Sequence, residues 1–168
     1  MVIVNSKWDT RFMRLAREIA DWSKDPSSKI GAIIVNDRRR ILATGYNGFP
    51  EGIEDTEERL NNREEKYPRI IHAETNSLLN ALKNGVSVEG ATLYVYGLPV
   101  CPDCTKSIIQ AGIKRIVMSP DPYVVISPWT EKWDKVSKSM IIETGDIQIT
   151  YANHEKLFNS EEHKKFFE

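Results

Sequence analysis

The chain's two cysteines form the run Cys101-Pro102-Asp103-Cys104, and the run His72-Ala73-Glu74 precedes it. No other feature constrains the fold as tightly. One histidine and two thiolates are three ligands of a tetrahedral zinc, so they must end up side by side with one position left for water. Glu74 stands next to the histidine ligand, where its carboxylate can move protons on that water. The pattern reads as hydrolysis at a metal rather than as a closed structural site. Redox couples and structural zinc also use a Cys-x-x-Cys pair, but this chain lacks thioredoxin-like context and a fourth Cys or His nearby. His154 and His163 fall in the tail, where solvated side chains are expected.

The hydrophobic pattern alternates between helix and strand. Phe12, Leu15, Ala16, Ile19, Ala20 and Trp22 recur at helical spacing and predict a helix over about 9–23. Residues 30–35 and 41–46 are strand-like, and the short polar link 36–39 joins them as a hairpin. Residues 47–70 are rich in Gly, Pro, Asp, Glu and Asn and predict a long excursion, with a short helix around 56–61. A helix over 73–82 follows, stopped by Asn84-Gly85. Then come a strand at 91–96, a helix at 103–111, a strand at 113–118, a helix at 129–140 and a strand at 147–151. Strands alternating with helices imply a three-layer α/β/α sandwich around a mixed, roughly five-stranded sheet, its later strands parallel. One domain is expected over 1–152, followed by a charged tail over 153–168.

This placement puts both halves of the metal site at helix starts. The free N–H groups and partial positive charge there favour thiolate over thiol. Two thiolates also cancel the formal charge of Zn²⁺, so the bound water is less acidified than in an all-histidine site and needs a base. Glu74 is that base.

Composition excludes several partners. Lys plus Arg (23) balances Asp plus Glu (24), which argues against a general nucleic-acid or membrane-surface binder. No apolar run is long enough to span a membrane, and Met1-Val2-Ile3-Val4 is too short for a signal-peptide core. A cysteine pair of metal type without an export signal suggests a reducing cytoplasm.

At four ordered motifs the chain resembles the cytidine deaminase superfamily and, within it, the deoxycytidylate (dCMP) deaminases. These are residues 23–32 (SKDPSSKIGA), residues 45–52 (GYNGFPEG), Lys66-Tyr67-Pro68 leading into His72-Ala73-Glu74, and residues 108–114 (IIQAGIK) behind the cysteine pair. The resemblance covers about residues 8–151. It implies one zinc per chain held by His72, Cys101 and Cys104, and hydrolysis of dCMP to dUMP and ammonia for thymidylate synthesis. Glu74 would take a proton from the attacking water, protonate N3 of cytosine, and later protonate the leaving ammonia. The resemblance further implies that Asn47 hydrogen-bonds the sugar, with Ala73 beside it; a plain turn asparagine between glycines also fits. Tyr123 would stack on the pyrimidine, although a surface aromatic after Pro122 fits as well.

Candidates for reading the 5′-phosphate are Lys24, Ser27, Ser28, Lys29, Lys66 and Arg69, each of which also fits a solvated side chain. Family resemblance implies a homo-oligomer, a hexamer, in which Gly45, Tyr46 and Gly48 help bind a dCTP activator or dTTP inhibitor, with Mg²⁺ accompanying the triphosphate. The chain departs from the family at Pro99-Val100-Cys101, where proline usually adjoins the first cysteine, and in the segment 119–128. Residues 48–71 contain no Cys or His, so a second, structural zinc is not expected. Other readings are a deaminase of dCTP or of several cytosine nucleotides, and a catalytically silent nucleotide-binding module, for which a carboxylate at Glu74 would have little use.

Overall fold

A computed structural model describes residues 6–120 and 128–152. Helix α1 (Lys7–Ala20) is followed by strands β1 (Gly31–Val35) and β2 (Ile41–Tyr46), short helices α2 (Glu57–Asn61) and α3 (Arg63–Lys66), and helix α4 (Ala73–Lys83). Strand β3 (Thr92–Gly97), helix α5 (Pro102–Gln110) and strand β4 (Arg115–Pro120) come next. The last elements are α6 (Pro128–Lys132), a π-helical stretch Trp133–Ser137, α7 (Lys138–Thr144) and β5 (Gln148–Tyr151). The sheet order is β2-β1-β3-β4-β5. Strand β1 is antiparallel to both β2 and β3, whereas β3, β4 and β5 run parallel, as helical crossovers require. This is the expected mixed five-stranded sandwich.

One face of the sheet carries α1. Phe12, Met13, Ala16 and Ile19 bury against Ile33, Val35, Tyr94 and Val117. The other face carries the helices that hold the metal-type ligands, with Ile34, Leu93, Val95, Ile116, Ile108 and Ile141 at its centre. The two faces alternate along each strand, so β1 has no exposed residue. Two glycines permit the closest approaches. A Cβ at Gly31 would lie 2.0 Å from the Ala16 carbonyl of α1, and one at Gly45 would lie 2.4 Å from the Ser77 amide of α4.

Helix α1 is pinned by a buried charge cluster. Arg115 grips Asp9 through both guanidinium nitrogens at 2.8 and 2.9 Å, and the Tyr94 hydroxyl donates to Asp9 at 2.7 Å. Burial pushes the Asp9 carboxyl up, and these hydrogen bonds more than reverse it, leaving it below the ordinary value.

Three boundaries differ from the pattern-based expectation. Helix α1 starts earlier because Ser6 caps it, its hydroxyl accepting the Asp9 N–H at 3.0 Å, and it ends at Ala20. Trp22, counted with its apolar face, is 58% exposed and packs edge-on against Tyr46. The excursion holds α3 as well as the expected α2, each begun by a side-chain cap, Thr56 and Asn62. The late helix runs on to Thr144 through the π-helical stretch, where buried Trp133 donates to the Tyr151 hydroxyl at 2.9 Å. The tail 153–168 and Tyr123 lie outside the described residues.

Candidate active site

His72 and Cys101 occupy equivalent places, each the residue that opens a helix. His72 caps α4 in extended conformation, and Cys101 caps α5, with Pro102 at the first helical position. The Cys101 sulfur accepts the Cys104 N–H at 3.4 Å, so a helix-start amide donates to the candidate ligand sulfur. Because β2 and β3 flank β1, the chain leaving each strand turns back over the same face, and the two helix starts meet there.

The His72 Nδ1 atom lies 3.3 Å from Cys101 Sγ and 3.4 Å from Cys104 Sγ. Ligand atoms around a tetrahedral zinc at ordinary bond lengths lie roughly 3.5 Å apart, so the cluster fits that ion. Both cysteines are buried and free of any disulfide, and Thr75 Oγ1 contacts the Cys104 sulfur at 3.4 Å. His72, Cys101 and Cys104 are the one such ligand group of three among the described residues.

The titration of the cluster follows from its packing. The contact with Cys104 pulls the Cys101 thiol down, against burial, and the His72 hydrogen bond adds to it. The same contact and burial push Cys104 up. His72 is raised by its hydrogen bond with Cys101, against burial, with the Glu74 charge adding to it. Burial pushes Glu74 up to about 7, with the His72 charge opposing. In the metal-free chain the first-turn carboxylate therefore holds its proton more tightly than an exposed glutamate does.

His72, Glu74 and Cys101 line one end of a cavity of about 380 Å³, together with Leu98, Pro99 and Asp103. Its other end is a polar loop. Asp25 Oδ1 accepts the backbone N–H groups of Ser27 at 2.8 Å and Ser28 at 3.3 Å, an Asx turn. Lys66 closes that turn, donating to Asp25 and to the Ser27 hydroxyl at 3.0 Å each, with both ion-pair side chains buried. Asn47 anchors the loop as well, accepting the Ile30 N–H at 2.9 Å and donating to the Ser28 carbonyl at 2.8 Å.

The structure thus brings His72, Glu74, Cys101, Asn47, Ser27, Ser28 and Lys66 around one cavity, with Cys104 in the ligand cluster behind it. It directs other candidates elsewhere. Lys24 pairs with Asp55, Arg69 with Glu65, and Lys29 donates to the Asp21 carbonyl. Ala73 is wholly buried, and Gly45 is packed beneath α4. Tyr46 and Gly48 sit beside the cavity wall rather than in it, Gly48 bridging to Ile71. Three charged lining residues were not among the sequence candidates, Asp25, Asp103 and Lys132. Asp25 opens the Asp-Pro-Ser-Ser turn, which is a readable signal; Lys132 carries none.

A family model for the cytidine and deoxycytidylate deaminase zinc-binding region matches residues 6–120. The chain is 43% identical over 122 residues to the Homo sapiens deoxycytidylate deaminase, covering 70% of this chain and 67% of that one. It is 37% identical over 146 residues to a deaminase of Aliivibrio fischeri, covering 87% and 94%. Among solved structures, the dCMP deaminase of cyanophage S-TIM5 in complex with dCMP and dUMP superposes with a TM-score of 0.66 at 25% identity, covering 88% and 98%.

Proposed function

The chain belongs to the cytidine and deoxycytidylate deaminase family, and on that premise we propose that it hydrolyses dCMP to dUMP and ammonia, in support of thymidylate synthesis. The observation that carries this reading is the meeting of the His72–Cys101–Cys104 cluster and the buried Glu74 at one end of a cavity whose other end is polar and hydroxyl-rich. Zinc, when bound by those three residues, supplies Lewis-acid activation of water near neutral pH.

Glu74 does the proton work. Its carboxylate accepts a proton from the attacking water and passes it to N3 of the pyrimidine, which makes C4 electrophilic. After water oxygen bonds to C4, Glu74 takes the remaining proton from that oxygen and delivers it to the exocyclic nitrogen, and the C4–N bond breaks to release ammonia as the C4 carbonyl forms. Burial raises the proton affinity of this carboxylate, which favours its taking up a proton and handing it on.

Asn47 positions the sugar end. Its Oδ1 spends one acceptor site on Ile30 and has a second for a sugar hydroxyl. The 5′-phosphate is read at the Ser27–Ser28 loop, with Lys66 and Lys132 as the lining cations. Tyr123 is retained as the stacking residue. A homo-oligomer, dCTP and dTTP as effectors at 45–48 with Mg²⁺ on the triphosphate, and a reducing cytoplasmic setting complete the reading. Ammonia release should be measured from dCMP, deoxycytidine and dCTP. Turnover of dCMP at least tenfold above the other two is expected, and equal turnover of dCMP and deoxycytidine would refute phosphate reading.

A further inference from the structure

The hydrogen bonds of Asp25 leave it little to offer a substrate directly. Its Oδ1 atom accepts the N–H groups of Ser27 and Ser28 and the Lys66 ammonium, at 2.8, 3.3 and 3.0 Å. Its Oδ2 atom accepts the side-chain amide of Asn47 at 3.4 Å. An ionised carboxylate has about four acceptor sites, and donors from four residues already face this one. The buried Lys66 cancels its charge in place, so the group does not repel an anion in the cavity. Asp25 therefore acts on the cavity through the residues it holds.

One of those residues is Asn47. Its Nδ2 hydrogens both point into the loop, one to Asp25 Oδ2 and one to the Ser28 carbonyl at 2.8 Å. Its Oδ1 accepts the Ile30 N–H at 2.9 Å, and its own N–H donates to the Ile30 carbonyl at 3.3 Å. An inverted amide would set Oδ1 against two acceptors and Nδ2 against a donor, so its partners fix its orientation. What stays available is an acceptor site on Oδ1, which suits a hydroxyl donor. A 2′-deoxyribonucleoside 5′-phosphate has one free sugar hydroxyl, the 3′-OH.

Ser23 closes the circuit. Its hydroxyl accepts the Asp25 N–H at 3.2 Å and donates to the Asn47 carbonyl at 2.7 Å. Ser23 is buried and does not line the cavity. One carboxylate and one hydroxyl thus tie the end of β2, the Ser27–Ser28 loop and the end of α3 together.

We propose that Asp25, supported by Ser23, is a positioning residue that locks Asn47 to the Ser27–Ser28 loop, so that the 3′-hydroxyl and the 5′-phosphate are recognised as one rigid unit. This rests on the reading of the cavity as a dCMP site. Two contacts held at a fixed separation take less ordering when the nucleotide binds, so a substrate carrying both groups gains more than either group gives alone. Loosening the link leaves each contact present but misplaced. The penalty for lacking either group then shrinks.

The test is kcat/KM for ammonia release from dCMP, deoxycytidine and 2′,3′-dideoxycytidine 5′-monophosphate. It is run on the intact chain, Asp25→Asn and Ser23→Ala, with zinc content and circular dichroism measured on each. Asparagine at position 25 can keep the turn through its carbonyl but removes the charge that Lys66 and Asn47 face. Ser23→Ala removes only a hydroxyl behind the cavity wall, and it decides the question alone if Asp25→Asn does not fold. At unchanged zinc content, the penalties for lacking the phosphate and for lacking the 3′-hydroxyl should both shrink, by about tenfold or more in Asp25→Asn, and in the same direction in Ser23→Ala. A merely structural role lowers all three substrates by one factor and leaves both penalties as they were. That result would overturn the proposal, as would a loss confined to one of the two penalties. Equal turnover of dCMP and deoxycytidine by the intact chain would instead overturn the dCMP reading itself, and the proposal with it.

Discussion

Glu74 is the residue at which stability and function oppose each other. Its folded affinity for a proton is raised to about 7 from an ordinary 4.5, chiefly by burial. Below about pH 4.5 the carboxyl is protonated in both folded and unfolded chains and costs nothing. As pH rises from there towards 7 the unfolded chain gives up a proton that the folded one keeps, so stability falls; above 7 the loss is complete. In zinc-free protein Glu74→Gln should therefore stabilise by on the order of 1–3 kcal/mol at pH 8 and have no effect near pH 4.5. Denaturant midpoints at the two pH values check this, and an equal shift at both would contradict it. Lys66 and Asp25 form a buried ion pair in the cavity wall. Removing one partner of such a pair leaves a buried charge, so their value is in fixing the Ser27–Ser28 loop rather than in net stability.

At the scale of elements, the contact between β2 and α4 matters most. Asn76 and Asn80 of α4 donate to the carbonyls of Tyr46 and Thr44 at 2.9 and 2.8 Å, fastening the helix along the edge strand. Gly45 lies under the first turn of α4, where a Cβ would be 2.6 Å from the Ala73 carbonyl. Gly45→Ala should push α4 outward and carry His72 and Glu74 with it. The expected outcome is a loss of zinc affinity of at least tenfold, measured by competition with a chromophoric chelator; unchanged affinity would show that the helix start tolerates the shift. The same contact explains why a glycine that family resemblance places at an effector surface also has a packing reason to be there.

At the scale of the molecule, the periodicity of the strands and helices was enough to predict the sheet, because each strand's apolar residues face one of two separate cores. The His72–Cys101–Cys104 cluster and the nearby Glu74 were legible because a zinc site of this type draws on particular residue types at short, fixed spacings. Lys132 was not, because its place depends on how the helical segment around it packs on the rest of the molecule rather than on a local motif. Helix α3 and the π-helical stretch were missed for a similar reason: one is a single turn begun by an asparagine cap, and the other follows from burying Trp133 against Tyr151. The central claim, dCMP deamination driven by Glu74 beside a His–Cys–Cys zinc, has one decisive measurement. Zinc content and dUMP formation from dCMP should be determined on the same preparations of the intact chain and of Glu74→Gln. The account predicts about one zinc per chain in both and, for Glu74→Gln, a turnover lower by about a thousandfold or more. A zinc-loaded Glu74→Gln protein that forms dUMP at the intact chain's rate would contradict it.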